Sequence, residues 1–236
     1  VQEQGDYDWS GLRLGVRAAF SVAGLVMSAS FLGFGAFLQS IGFDLVVGLL
    51  SVPIVWALPG QVVFVDGVHK GMGLAAIAFA VTLTAVRLMP MTVLVLSRSR
   101  LPGQSRWPEI LVAHFTAVTL WMIANRGLDL LPIRQRLPWL IGIGSTLMAG
   151  MMGFVLLGYM LAGQMPPLLA ACLVFLTPAF FLVSLFAGAR WRTDHIAILL
   201  GLILGPMAYY FAPEFDLLIA GLAGGTLAYV LGRQAR

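Results

Sequence analysis

The chain is short of charge, cysteine and histidine, and each shortage excludes something. Only 10% of its 236 residues are charged, while 60% are hydrophobic. Soluble domains carry about 25% charged residues. A soluble fold of this size cannot hide so much apolar surface, because its outside must face water. The composition therefore points to an all-α polytopic membrane protein. A single cysteine, Cys172, rules out an intrachain disulfide and sits in an apolar run as a small packing residue. Three scattered histidines form no metal-ligand spacing. No nucleophile–histidine–acid arrangement and no G-x-x-x-x-G-K-[ST] loop occurs, so the expectation is no metal, no cofactor and no enzyme activity. The net charge of +4 comes from basic residues lying between apolar runs. That distribution speaks for membrane topology rather than nucleic-acid binding.

Long apolar runs fill what remains. A helix needs about 20 apolar residues to cross the hydrocarbon core. Eight runs qualify or nearly so: 15–38, 45–66, 73–97, 109–125, 138–161, 168–188, 195–212 and 216–232. Proline and glycine interrupt 45–66, so seven spans plus a re-entrant segment is the alternative. The domain division is a polar segment 1–12 and one transmembrane domain 13–236. An eight-span arrangement with both ends in the cytoplasm places ten of the 14 basic residues inside, Arg126, Arg134 and Arg136 among them. It leaves Arg98, Arg100 and Arg106 outside as the misfit. Short turns at Phe37 to Phe43 and Ala212 to Phe215 predict antiparallel neighbours. Gly142, Gly144, Gly150, Gly153 and Gly158 crowd one run, and Gly201 and Gly205 make a GxxxG pair. Small residues let membrane helices approach closely. The six tryptophans, Trp56, Trp121 and Trp139 included, fall mostly near run ends or in loops, where interfacial anchoring accounts for them.

Arg87 is the most informative residue. It lies about 21 Å into the run 73–97, near the bilayer middle. A charge there costs about 2.5–3.5 kcal/mol or more. No carboxylate occupies the middle of any run to offset it. One reading is that Arg87 faces a cavity and grips the carboxylate of a solute through its planar fork of donors. The other is a structural arginine that caps a broken helix or snorkels. The break Pro59-Gly60-Gln61 is the second feature. At membrane depth, non-helical backbone persists only where it is buried in protein or lines a wet cavity. Transporters use such discontinuous helices to aim half-helix N-termini at anionic substrates. Gln61 would begin the second half-helix, and Pro90 disturbs the helix of Arg87. Pro178 and Pro206 interrupt two later runs and are the expected second-half counterparts. His114, with Thr116 and Thr119 behind it, is read as a proton-handling group or as a solvated helix-end histidine. Thr84, one turn before Arg87, is a further polar contact.

These features together resemble the AzlC family, the large subunit of two-component branched-chain amino acid exporters. The resemblance rests on Phe31-Leu32-Gly33-Phe34-Gly35 in an early helix, on Leu58-Pro59-Gly60-Gln61-Val62-Val63-Phe64 at a broken helix, and on Thr84-Ala85-Val86-Arg87-Leu88-Met89-Pro90 in a long one. It covers roughly residues 12–232. Where family members often carry an acidic pair, this chain has His114-Phe115-Thr116-Ala117. Where they have tryptophans, it has Met148-Ala149-Gly150-Met151-Met152. The resemblance implies a secondary transporter subunit in a bacterial inner membrane, exporting branched-chain or related amino acids. Under that reading Arg87, Gln61, Gly60 and Pro59 are the expected substrate-binding residues. The resemblance also implies a small AzlD-like membrane subunit as partner, with a homo-oligomer as the alternative. A non-transporting scaffold or accessory subunit is the competing function.

Overall fold

A computed structural model describes residues 6–164, 166–189, 192–211 and 216–234. The described residues are helical with no strand. They divide into two compact units, residues 1–177 and 178–236.

The first unit begins with α1 (Ser10–Ala19) and α2 (Val22–Ser40), which meet at a break where Ser21 caps α2 through its hydroxyl to the Gly24 N–H. Next come α3 (Leu45–Val55) and α4 (Leu58–His69), then α5 (Leu74–Val86) and α6 (Met89–Ser97), then α7 (Trp107–Phe115) and α8 (Val118–Gly127). The unbroken α9 (Ile133–Leu161) is 29 residues long. α10 (Pro167–Gly188) follows and leads into the second unit, where α11 (Arg192–Phe211) and α12 (Asp216–Gln234) pack as an antiparallel pair. Gly232 meets Thr193 at one end of that pair, and Gly224 meets Gly201 nearer the other. The turn expected at Ala212 to Phe215 lies outside the described residues.

All eight apolar runs are thus helical over most of their described residues, four of them as two helices rather than one. Among the described residues three helices are long and apolar enough to cross a membrane: Val22–Ser40, the α9 stretch Ile133–Gln164, and Arg192–Phe211. The bent pairs α5–α6 and α7–α8 bring the number to five if each is one span. Pro178 and Pro206 do not break their runs, because α10 and α11 continue through them.

The breaks follow proline physics, displaced from where sequence places them. Proline fits the first turn of a helix, where its missing N–H would have no partner anyway. The chain therefore leaves the helix before the proline. Pro59 sits in the first turn of α4 and the break falls at Trp56–Ala57; Pro90 sits in the first turn of α6 and the break falls at Arg87–Leu88. Gln61 is consequently the fourth residue of α4 rather than its first.

Glycine organises the packing. α1 and α2 run alongside α9 in the same direction, with Gly11 against Gln135, Gly15 against Trp139 and Gly142, Gly35 against Val155, and Gly158 against Leu32. At each of these glycines an added Cβ would meet neighbouring backbone. Not all of α9's glycines serve this seam: Gly150 and Gly153 face open space.

Hydrogen bonds identify the two ends of the first unit. At one end, Asp8 N–H donates to the Arg134 carbonyl at 3.0 Å, Arg134 donates to the Asp6 carbonyl at 2.8 Å, and Leu101 N–H donates to the Tyr7 hydroxyl at 3.2 Å. Arg98 pairs with Asp129 at 2.6 Å, and Arg136 donates to the Arg98 carbonyl at 2.9 Å. At the other end the Tyr159 hydroxyl donates to the Phe43 carbonyl at 3.1 Å. Residues 98–106 therefore share an end with 6–8 and with 126–136. This corrects the eight-span arrangement, which sets 98–106 opposite the other two. The chain leaves that end after Arg106, bends by 113° between α7 and α8, and returns to it at Asp129. The segment 107–127 is a re-entrant hairpin. Its tip reaches mid-depth: Phe115 packs on Gly144, about 17 Å along α9 from its start.

Candidate functional site

The geometry centres on the two breaks, at Trp56–Ala57 and Thr116–Ala117. Both are built alike. In the first, Ala57 N–H closes a tight turn onto the Val55 carbonyl at 2.8 Å, and Gln61 N–H starts α4 by bonding the Ala57 carbonyl at 3.0 Å. In the second, Ala117 N–H closes onto the Phe115 carbonyl at 2.9 Å, and Trp121 N–H bonds the Ala117 carbonyl at 3.0 Å. Neither Ala57 nor Ala117 carries a side-chain cap, since alanine has nothing to offer. The first turns of α4 and α8 therefore open with unmet N–H groups and the positive end of each helix dipole.

The two breaks hold each other. Ending α3 at Val55 removes the N–H that the Pro53 carbonyl would otherwise receive from Ala57. His114 supplies one instead, with Nε2 2.7 Å from that carbonyl. A carbonyl only accepts, so Nε2 carries the proton. In return, the Trp56 indole N–H donates to the Phe115 carbonyl at 2.8 Å. Trp56 is buried and lies in the left-handed region at φ 59°. Among the described residues no other non-glycine residue has positive φ. Such strain persists where surrounding contacts over-determine the residue, and it clusters at functional sites. Their positions near run ends suit Trp56 and Trp139 to interfacial anchoring, yet both are buried, Trp139 against Gly127.

The predicted residues divide around this junction. Gly60 abuts Thr84 and Val81 of α5, and an added side chain there would press on the Thr84 hydroxyl. Thr84 is buried and donates to the Val81 carbonyl at 2.7 Å. Gln61 is fully buried, and neither its amide nitrogen nor its amide oxygen has a hydrogen-bond partner. Buried polar groups are satisfied in the great majority of cases. Pro59 lies in the first turn of α4 beside them. Arg87 caps α5 at the 50° bend into α6, with its side chain exposed. No ion pair or hydrogen bond joins Arg87 to another described residue. Its depth nevertheless matches the junction. α4 and α5 run antiparallel, Gly67 facing Ile77 and Gly60 facing Thr84. Continued for one more turn, that register sets Arg87 level with Ala57. His114 belongs to the junction too, but as a clamp on Pro53 rather than beside Gln61.

A separate groove of about 460 Å³ lies beside the break between α1 and α2, lined by residues that include Phe20, Gly24, Ser28, Ser145 and Thr146. None of the predicted site residues lines it.

Sequence reasoning found the first break through Pro59 and Gly60. It missed the second, which has no proline or glycine within it, and with it the role of Trp56. A family model described as AzlC protein matches residues 23–165. No curated protein and no solved structure matches the chain.

Proposed function

The chain belongs to the AzlC family, a transport-associated membrane family, and on that premise we propose that it is a secondary transporter subunit exporting branched-chain or related amino acids. The observation that carries this reading is the buried, unpartnered Gln61 amide in the first turn of an uncapped half-helix. An amino acid brings a carboxylate, an ammonium and an apolar side chain. Arg87, level with the break, takes the carboxylate through its fork of donors. The free N–H groups of Leu58 and Gly60 add dipolar attraction for the same anion. Pro59 contributes by having no N–H and by fixing where the helix starts. The Gln61 carbonyl oxygen accepts from the ammonium, and its amide nitrogen donates to the carboxylate. The Thr84 hydroxyl lies within reach of Gly60 as a further polar contact. Residues such as Val63 and Met91 meet the aliphatic side chain. The arginine's exposure in the isolated chain suits a face closed by a small AzlD-like subunit or by a second copy.

The test is flux of labelled L-leucine in liposomes holding the full chain with and without its partner. Losing a bidentate charged contact costs about 1.5–3 kcal/mol, which is about ten- to a hundredfold in affinity. Arg87→Ala is expected to lose flux on that scale, and Arg87→Lys to keep part of it. Wild-type flux in both variants ends the binding role of Arg87. If the unmodified chain moves no amino acid even with its partner, the scaffold reading takes its place.

A further inference from the structure

The two broken helices match along their length at one constant offset in the chain. Val52 and Val112 are both fully buried, five residues before the break alanines. Val55 and Phe115 both accept the tight-turn bond from Ala57 and Ala117. Gly67 and Gly127, ten residues after the alanines, each pack against the helix that follows, at Ile77 of α5 and Trp139 of α9. The hairpins also approach from opposite ends. Leu38, near the end of α2, packs on Gly48 near the start of α3, whereas α7 and α8 begin and end beside Arg98 and Asp129. Phe64 of α4 packs on Phe43 just before α3, ring centroids 6.4 Å apart, so α4 returns to the end from which α3 came. The result is an inverted pair of re-entrant hairpins whose tips interlock at mid-depth.

In that correspondence Gln61 matches Trp121. Among the described residues they are also the two whose buried side-chain nitrogen or oxygen atoms lack a partner: both amide atoms of Gln61, and the indole nitrogen of Trp121. Unmet polar atoms at the same position of two related half-helices have one economical explanation, a ligand that meets both.

We propose that Trp121 is a second ligand-binding residue, paired with Gln61 by the inverted repeat, and that both contact one solute held between the tips of the two hairpins. This rests on the transport reading above and extends it to the α8 side of the junction. The chemistry of the site is donor-rich: the indole N–H, the Gln61 amide N–H, and the first-turn N–H groups of both half-helices. One acceptor, the Gln61 carbonyl oxygen, stands among them. The set fits a small zwitterion with a two-oxygen anion and a single cationic group.

Two measurements test it, in the full chain with Cys172→Ser as background. In the first, Gln61→Cys and Trp121→Cys are exposed in vesicles to a positively charged methanethiosulfonate, which reacts only with a thiol that water reaches. The expected result is modification of both, with modification of one slowing reaction at the other at least tenfold in the double variant. Protection of either cysteine, or independent reaction, overturns the shared site. In the second, Trp121→Phe, which removes the indole N–H and shrinks the ring but keeps it aromatic, is compared with Gln61→Leu in leucine flux. A several-fold rise in KM with nearly unchanged maximal rate, and a non-additive double variant, is expected. Wild-type KM in Trp121→Phe overturns the role of Trp121 while leaving the transport reading intact. Coupled modification without leucine flux in the unmodified chain sinks that reading and keeps the site.

Discussion

His114 and Trp56 are the residues whose chemistry most depends on where a helix stops. Each repairs the exposed backbone of the other's broken helix, so the two bonds should behave as one clamp. Removing the donor from a carbonyl at membrane depth, where no water replaces it, costs about 1–3 kcal/mol. His114→Ala strands the Pro53 carbonyl completely, whereas Trp56→Phe leaves the Phe115 carbonyl its bond from Ala117. Thermal unfolding in detergent should therefore show a larger loss for His114→Ala than for Trp56→Phe. His114→Gln should recover part of it, because its amide also donates. The double variant should lose less than the two single losses combined, since either change frees the same junction. Single effects within about 0.5 kcal/mol, the range of ordinary surface changes, would remove the clamp. The same pair shows what sequence could reveal. A lone histidine near a run's end gives no sign that it bonds a carbonyl 61 residues earlier in the chain. Arg87 and Gln61, in contrast, stand out without a structure, because charge at depth and polar groups beside a proline break are costly wherever they fall.

At the scale of elements, legibility follows the range of the cause. Pro59 and Pro90 mark breaks because the missing N–H is a local property, and only the offset from the proline to the true break needed geometry. The break at Thr116–Ala117 has no local cause. It exists because Trp56 and Gly144 hold Phe115 from outside, and no window of sequence contains those contacts. Glycine was half legible in the same way. The crowding of glycine in α9 announced a close seam, but not which glycines form it. Gly158 faces the Leu32 backbone of α2, where a Cβ has no room, while Gly150 faces open space. Gly158→Ala should force the helices apart at an overpacking cost of about 1–3 kcal/mol. Gly150→Ala should be neutral or gain up to about 1 kcal/mol from helix propensity. Detergent melting curves of the two variants check this, and equal behaviour would mean that α1–α2 and α9 do not share the seam described.

For the whole molecule, the re-entrant hairpins change how charge is read. With 98–106 moved to the end that holds 6–8 and 126–136, Arg98, Arg100, Arg106, Arg126, Arg134 and Arg136 gather on one side of the first unit. Asp129 lies among them, and its hydrogen bond from Arg98 holds its carboxyl below the usual range. A carboxyl with a lowered pKa contributes its stabilisation above its unfolded value and loses it only as pH falls through the folded one, so this end stays paired at any physiological pH. The opposite end carries Asp44 and the mutually paired Asp66 and Lys70. The misfit of the eight-span arrangement thereby disappears, and from the excess of arginine we predict that the first end faces the cytoplasm. Cysteines at Ser105 and Leu130 on a Cys172→Ser background should then react with a membrane-impermeant maleimide only in inverted vesicles. Cysteines at Ser40 and Met72 should react in right-side-out cells. Labelling of Ser105→Cys and Leu130→Cys from opposite sides would make α7–α8 a true crossing. Labelling of Met72→Cys together with Ser105→Cys would instead make α3–α4 one, and the inverted pair would be lost while the ion pair between Arg98 and Asp129 stood.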